Sequence, residues 1–334
     1  MQEMTLRQKI LQMFILGFSQ DDFRCNKYFA DFIKEGLGGV IFFSCNIKSQ
    51  SQFRELILSL KEKAFIEMFY GIDQEGGRVE RTESIHNGKK YLSAGAAYKM
   101  GLSFLQSQTK EIVLELKSYG INMNFAPVLD VNTNENNPII GDRAYSNKAD
   151  EVIEAARVVL DVYKNHKIIA VGKHFPGHGA SCDDSHKTLP VINLAEEDLI
   201  QNHIRPFGSA IKMGIPAIMA AHVLYPSIDN SNLPASLSYN IITGLLRKEL
   251  GFNGIIMTDD MEMNGVKGVP RLEACIKAIN AGVDMFIFRD TTKDIYDLID
   301  NLEHAVKNGQ IREKRIDESI ERILKIKYDY KIIR

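Results

Sequence analysis

The sequence predicts an α/β fold, a (β/α)8 TIM barrel in which parallel strands form a closed cylinder inside a ring of helices. Two observations support this prediction. Eight short, largely apolar runs recur along the chain, as expected for parallel strands buried on both faces. Helix-length mixtures of polar and apolar residues separate them, which favours a closed barrel over an open doubly wound sheet. We expect residues 1–334 to form a single domain, because no linker-like run divides the chain.

The eight predicted strands share apolar side chains and a length of four to six residues. In chain order they cover residues 13–18, 39–43, 68–72, 122–126, 168–171, 217–221, 254–258 and 284–288. Helices are predicted at 49–65, 94–119, 150–165, 196–213, 239–250 and 271–281. The tail at 311–330 carries apolar residues at helical spacing, so we expect a closing helix with a solvated basic face.

Composition limits the possible functions. The formal net charge of −2 gives no sign of a broad basic surface, so neither nucleic acid nor membrane is an expected partner. The four cysteines (Cys25, Cys45, Cys182 and Cys275) form no paired motif. They are typical of reduced thiols, so we expect a cytoplasmic protein. Neither an obligate protein partner nor an oligomeric state is indicated.

Polar residues capable of chemistry follow several of the predicted strands. These residues are Asp73 after the third strand, Arg143 after the fourth, Lys173 and His174 at the fifth, His222 at the sixth and Asp259 at the seventh. In a barrel these positions converge on the C-terminal mouth, where barrel enzymes place their active sites. The sequence therefore predicts an active site at that end.

The segment from Lys173 to His186 is predicted to be a loop after its first residues, because Pro176, Gly177 and Gly179 disfavour a helix. Asp184 and His186 are two residues apart, so the carboxylate can accept a hydrogen bond from the imidazole. Such a pair suits general acid/base chemistry. His178 lies between glycines and is expected to brace the loop.

Two alternatives stay open on the residues alone. Asp259 and Asp260 are adjacent on a strand, where successive side chains alternate, so we expect only one to face the mouth. Asp130 is interpreted as a turn or ion-pair residue. A metal site built from histidines and aspartates of the loop (His174, His178, Asp183, Asp184, His186 and His222) is the rival interpretation, which Pro176 and Gly177 weaken by breaking helical spacing.

Long motifs along nearly the whole chain resemble glycoside hydrolase family 3, and within it the short bacterial β-N-acetylhexosaminidases. The motifs are QMF at 12–14, GIDQEGGRV at 71–79, NFAPVLDV at 124–131, GDR at 141–143, KHFPGHG at 173–179, DSH at 184–186, AH at 221–222 and TDDM at 258–261. The family's loop usually continues with aspartate and threonine, whereas Ala180 and Ser181 stand here. This departure bears on loop closure and not on the pair Asp184 and His186.

The resemblance implies a role for each matching residue. Asp259 is implied as nucleophile, and Asp184 with His186 as the acid/base pair. Binding of the N-acetylglucosamine ring is implied for Asp73, Arg81, Arg143, Lys173 and His174. The implied reaction is retaining hydrolysis of terminal β-linked N-acetylglucosamine, without metal or organic cofactor. The implied substrate is a small carbohydrate, a peptidoglycan-derived muropeptide released in cell-wall recycling.

Three other functions remain possible from the sequence. A β-glucosidase of broader specificity and a phosphorolytic β-hexosaminidase belong to the same family. A non-catalytic sugar-binding barrel belongs to another class, and the presence of both Asp259 and the Asp184–His186 pair argues against it.

Overall fold

Strands of the computed structural model close into a parallel barrel. The structure describes residues 4–86, 88–182 and 189–334. Its strands are β1 (Phe14–Leu16), β2 (Gly39–Phe42), β3 (Phe69–Ile72), β4 (Gln74–Gly76), β5 (Val79–Glu80), β6 (Met123–Asn124), β7 (Ile169–Phe175), β8 (Ala217–Ala220), β9 (Ile255–Asp260) and β10 (Met285–Phe288). The barrel order is β1-β10-β9-β8-β7-β6-β3-β2, while β4 and β5 form a separate antiparallel hairpin. The (β/α)8 prediction is confirmed.

Helices surround this cylinder. They are α1 (Leu6–Gln12), α2 (Lys27–Glu35), α3 (Gln50–Lys63), α4 (Ala94–Lys99), α5 (Leu102–Tyr119), α6 (Ala149–His166), α7 (Glu196–Asp198), α8 (Arg205–Lys212), α9 (Arg271–Ala281), α10 (Lys293–Lys307) and α11 (Glu313–Asp329). Two π-helical segments cover Leu199–Ile204 and Asn240–Glu249. No described helix combines the length and the apolar composition that crossing a bilayer requires.

All eight predicted strands are present as barrel strands, with two changes that affect the site. β7 extends to Phe175, so Lys173 and His174 lie within the strand and not beyond it. β9 extends to Asp260 and therefore contains both adjacent aspartates. The predicted helix at 94–119 was wrong as one element: Gly101 adopts a φ of +98° and separates α4 from α5. Glycine reaches that backbone region at little cost.

The closing helix α11 is present, but the prediction of a solvated basic face is wrong for two of its residues. Arg315 and Lys327 are buried. Arg315 donates to Asp284 (Nη2–Oδ1 3.0 Å), and Lys327 donates to Gln12 (Nζ–Oε1 2.6 Å) and to the carbonyl of Glu67 (2.5 Å). Burial lowers the pKa of Lys327 to about 7. These cations tie α11 to the N-terminal end of the barrel, away from the predicted mouth.

Candidate active site

A cavity of about 310 Å³ opens at the C-terminal ends of the barrel strands. Its wall includes the described residues for which the resemblance implies a catalytic or sugar-binding role: Asp73, Arg81, Arg143, Lys173, His174 and Asp259. The structure thus brings together side chains that are up to 186 positions apart in the chain. Asp184 and His186 lie outside the described residues, as does Asp183, so their placement stays a prediction.

A buried ion network forms one side of the cavity. Lys173, in β7, is 2% exposed, and its Nζ contacts Asp73 Oδ1 at 2.7 Å and Glu75 Oε1 at 2.5 Å. Arg143, which ends the 3-10 turn Gly141–Arg143, donates to both oxygens of Glu75 at 2.9 Å. Burial acts to raise the pKa of Glu75, but Arg143 and Lys173 hold that pKa well below its usual range. Each charge therefore has a partner, as buried ions require.

Glu75 is a site residue to which the sequence interpretation gave no role. It lies in β4, two residues after Asp73, and its carboxylate contacts both Lys173 and Arg143. Residues two apart in extended backbone point to the same side, so the spacing from Asp73 to Glu75 was a signal that could have found it. Arg81 directly follows β5, the second strand of the same hairpin, and its Nη2 is 3.7 Å from Asp73 Oδ2.

Asp130 is a second residue whose importance appears only in the fold. It is completely buried and accepts hydrogen bonds from His174 Nδ1 (2.7 Å), the His174 backbone N–H (3.2 Å) and the His178 backbone N–H (2.6 Å). A carboxylate on Nδ1 fixes the ring orientation and leaves Nε2 toward the cavity. That Nε2 lies 3.5 Å from Arg143 Nη2. The interpretation of Asp130 as an ion-pair residue agrees with this geometry.

Asp259 and Asp260 both line the cavity, so the expectation that only one could face it is wrong. The register between β9 and β10 shifts between Met285 and Ile287, and such an irregularity interrupts the alternation of side chains. Their surroundings differ. Asp260 accepts from Arg289 Nε at 2.7 Å and from the Glu262 backbone N–H at 3.0 Å, whereas Asp259 makes no salt bridge with a described residue.

The two carboxyl groups also differ in acidity. Burial raises the pKa of Asp260 despite its contact with Arg289. Burial acts in the same direction on Asp259, but His174, His222 and Lys173 nearby leave the pKa of Asp259 below its ordinary value. Asp259 is therefore an ionised carboxylate beside the cavity that forms no ion pair with a cation in the described part of the chain, which is the state that a nucleophile requires.

His222 and His178 are both buried. His222 does not line the cavity, although it follows β8, and its Nδ1 lies 2.7 Å from Ser236 Oγ. His178 does line the cavity, and burial lowers its pKa to about 4. Within residues 4–86, 88–182 and 189–334, no group of three or more histidine, cysteine or acidic side chains is arranged to hold a metal ion.

Comparison with known proteins shows the family. The profile of the glycosyl hydrolase family 3 N terminal domain matches residues 5–326. The chain belongs to glycoside hydrolase family 3. The resemblance stated from the motifs is thereby confirmed, whereas the role of each site residue stays a prediction.

Curated relatives carry the name β-hexosaminidase. Beta-hexosaminidase A of Pseudoalteromonas piscicida is 34% identical over 317 residues, which cover 87% of this chain and 53% of that protein. The β-hexosaminidase of Methylobacillus flagellatus is also 34% identical, over 81% of this chain and 78% of its own length. The chain thus spans about half the length of the first relative and most of the second.

Solved structures agree with the barrel. A family 3 β-N-acetylglucosaminidase from Paenibacillus sp. superposes with a TM-score of 0.93 at 35% identity. The match covers 99% of this chain and 63% of that one.

Proposed function

We propose that the protein is a retaining β-N-acetylglucosaminidase that removes terminal, non-reducing β-linked N-acetylglucosamine. The observation that carries the proposal is Asp259, an ionised carboxylate at a cavity that is also lined by Lys173 and Arg143, both paired with the buried Glu75. The names of the relatives support the choice of sugar. Charged groups converging on a neutral sugar suit its hydroxyl and acetamido groups, because charge-assisted hydrogen bonds are strong and directional.

The proposed mechanism is a double displacement. His186, held by Asp184, protonates the glycosidic oxygen while Asp259 attacks the anomeric carbon and the bond to the aglycone breaks. Water then attacks the anomeric carbon of the covalent glycosyl-enzyme, His186 accepts its proton, and Asp259 leaves. The histidine replaces the usual second carboxyl group. An ordinary imidazole pKa of about 6.5 suits it to act first as acid and then as base.

The aglycone and the cellular setting are the finer parts of the proposal. We propose muropeptides from peptidoglycan as substrates, cleaved in the cytoplasm during cell-wall recycling by one barrel domain spanning residues 1–334. The described cysteines support a reducing compartment, because Cys25, Cys45, Cys182 and Cys275 are all free.

Hydrolysis of p-nitrophenyl N-acetyl-β-glucosaminide and of the matching β-glucoside, with and without phosphate, tests the reaction. We expect the N-acetylglucosaminide to react much faster, with release of free sugar and not of a sugar phosphate. Equal rates on both glycosides would contradict the sugar assignment. Formation of the sugar 1-phosphate would favour the phosphorolytic alternative.

The nucleophile is tested by Asp259→Ala against Asp260→Asn. Loss of a covalent nucleophile is expected to lower kcat by at least about 10³-fold. Asp260→Asn keeps the shape of the neighbouring side chain and is expected to lower kcat less than about tenfold. The reverse order of the two losses would transfer the nucleophile role to Asp260.

A further inference from the structure

The loop after β6 holds the peptide that leads into Asp184 and His186. Asn137 Nδ2 donates to the carbonyl of His178 at 2.9 Å, and Asn134 Nδ2 donates to the carbonyl of Ser181 at 2.9 Å. The backbone N–H of Asn134 also donates to the carbonyl of Gly179 at 3.3 Å. Three successive contacts thus bind residues 178–181, only a few positions before Asp184.

Asn137 connects this peptide to the sugar-binding side of the cavity. Its side-chain oxygen accepts from the backbone N–H groups of Ile139 and Ile140, both at 2.9 Å. The turn thereby formed presents the Ile139 carbonyl to Arg143 Nη1 at 3.1 Å. Asn137 is buried, and every hydrogen-bonding atom of its amide group is engaged. One side chain therefore contacts both the Arg143 turn and the start of the loop.

The backbone at Gly179 packs tightly against the backbone at Val131. A Cβ at Gly179 would lie 1.8 Å from the carbonyl oxygen of Val131, so only glycine permits the approach. On the other side, Tyr225 is buried and its hydroxyl donates to the carbonyl of Gly177 at 3.0 Å. The backbone at 177–181 is thus held from two directions.

We propose that Asn137, assisted by Asn134, is a positioning residue for the acid/base step. It fixes residues 178–181, the described start of the segment that leads to Asp184 and His186, relative to the turn that contacts Arg143. This inference rests on the proposed function, because it assumes that His186 is the general acid. Ala180 and Ser181 replace the aspartate and threonine usual in relatives, and the described contacts at this point use backbone carbonyls, which the replacement retains.

Misplacing a general acid has a characteristic effect. Protonation of the departing oxygen matters most when the aglycone is a poor leaving group and little when it is a good one. A loss of stability alone, by contrast, lowers the amount of active enzyme equally for both kinds of substrate. The ratio of the two activities therefore separates a positioning role from a structural one.

Asn137→Asp tests the contact with the least change of shape. The variant keeps an oxygen for the N–H groups of Ile139 and Ile140 but turns a second oxygen toward the carbonyl of His178. Asn134→Ala tests the neighbouring contact independently, should Asn137→Asp fail to fold. Asn122→Ala is the matched control, because Asn122 also bridges backbone groups (Nδ2 to Met68 O 3.1 Å, Oδ1 from Tyr70 N 2.7 Å) but lies at the N-terminal ends of β3 and β6.

The measurement is kcat/KM on the β-1,4-linked N-acetylglucosamine disaccharide and on the 2,4-dinitrophenyl glycoside. For Asn137→Asp we expect a loss of about 10- to 100-fold on the disaccharide and under about threefold on the aryl glycoside. Asn134→Ala is expected to show the same split to a smaller degree, and Asn122→Ala none. Equal losses on both substrates, or activity equal to wild type, would overturn the role of Asn137.

His186→Ala, assayed beside these variants, separates this inference from the function on which it rests. If His186→Ala loses more kcat/KM on the disaccharide than on the aryl glycoside but Asn137→Asp does not, only the positioning role is overturned. If His186→Ala loses kcat/KM equally on both substrates, the assignment of His186 as the general acid fails.

Discussion

Asp130 does not line the cavity, but it orients the ring of His174, which does. Its two oxygens accept hydrogen bonds from three N–H groups of His174 and His178, and all three residues are buried. Burial opposes ionisation of Asp130, but His174 and His178 nearby keep its pKa below the ordinary value. Asp130 is therefore a charged anchor for the turn that follows β7, and it directs His174 toward the proposed sugar site.

We predict that Asp130→Asn raises KM for p-nitrophenyl N-acetyl-β-glucosaminide by about tenfold or more. The amide replaces one acceptor oxygen by a donor, which leaves a buried N–H group without a partner at a cost of about 1–3 kcal/mol in unfolding free energy. Steady-state kinetics and urea unfolding measure both effects. Asp161→Asn, an exposed site on α6, is the control and should change neither.

The acidity of Asp259 predicts the acid side of the pH profile. Because the pKa of Asp259 lies below its ordinary 3.8, the carboxylate stays ionised as pH falls and is protonated only below that value. We therefore expect kcat/KM to show no loss attributable to Asp259 between pH 7 and pH 5. A profile measured in wild type and Asp260→Asn would contradict this if an acid limb above pH 5 persisted in both.

Among the elements, the β4–β5 hairpin helps to build the site, because it carries Glu75 and leads into Arg81. Its turn requires glycine: Gly76 and Gly77 have φ values of +94° and +60°. A Cβ at Gly76 would lie 2.3 Å from the carbonyl oxygen of Leu92. The hairpin is also tied to the barrel, since Asn124 in β6 donates to the carbonyl of Gln74 at 2.8 Å. Its position is therefore set by both a tight turn and a barrel strand.

We predict that Gly76→Ala displaces the hairpin and weakens substrate binding. Left-handed backbone in a non-glycine residue costs about 1–3 kcal/mol, and the contact with Leu92 adds to it. KM should rise several-fold and the melting temperature should fall. Gly268→Ala is the control, because nothing lies within 4 Å of its added Cβ and its φ is not left-handed. An unchanged KM in Gly76→Ala would show that Glu75 and Arg81 do not depend on this turn.

Across the whole molecule, the two ends of the barrel have separate tasks. The C-terminal end holds the cavity, whereas the N-terminal end contains Asp284, which is completely buried. Asp284 contacts three arginines: Arg247, Arg315 (3.0 Å) and Arg322 (3.1 Å). It also accepts from the backbone N–H of Ile256 at 2.9 Å. This carboxylate therefore joins the start of β10 to β9, to the π-helical segment Asn240–Glu249 and to α11.

We predict that Asp284→Asn lowers the free energy of unfolding by about 3–5 kcal/mol, because it leaves buried guanidinium groups without a counter-charge. Burial already lowers the pKa of Arg247 to about 10. The kcat of the remaining folded enzyme should stay close to wild type, since the cavity lies at the other end. Urea unfolding and kinetics measure both. In contrast, Asp329→Asn removes an exposed pair with Lys325 and should cost under about 1 kcal/mol.

The same network predicts how stability depends on pH. The pKa of Asp284 is lowered in the folded protein by Arg247, Arg315 and Arg322, although burial acts to raise it. Its contribution is therefore present at neutral pH and is lost as pH falls below the ordinary value of 3.8. Asp284→Asn should flatten the acid side of a stability curve measured by urea unfolding. A curve parallel to that of wild type would contradict this origin.

Sequence alone determined the eight strands, the end of the barrel at which the cavity lies, and five of the residues that line the cavity (Asp73, Arg143, Lys173, His174 and Asp259), because buried parallel strands are continuous apolar runs and the polar residues that follow them stand out. The motifs along the chain indicated glycoside hydrolase family 3. Tertiary structure alone decided that Glu75 joins Lys173 to Arg143, that Asp130 orients His174, and that Asp259 and Asp260 both reach the cavity. Those facts depend on contacts between distant segments and on a register shift between β9 and β10. Of these residues only Glu75 leaves a local signal in the chain, its spacing of two residues from Asp73.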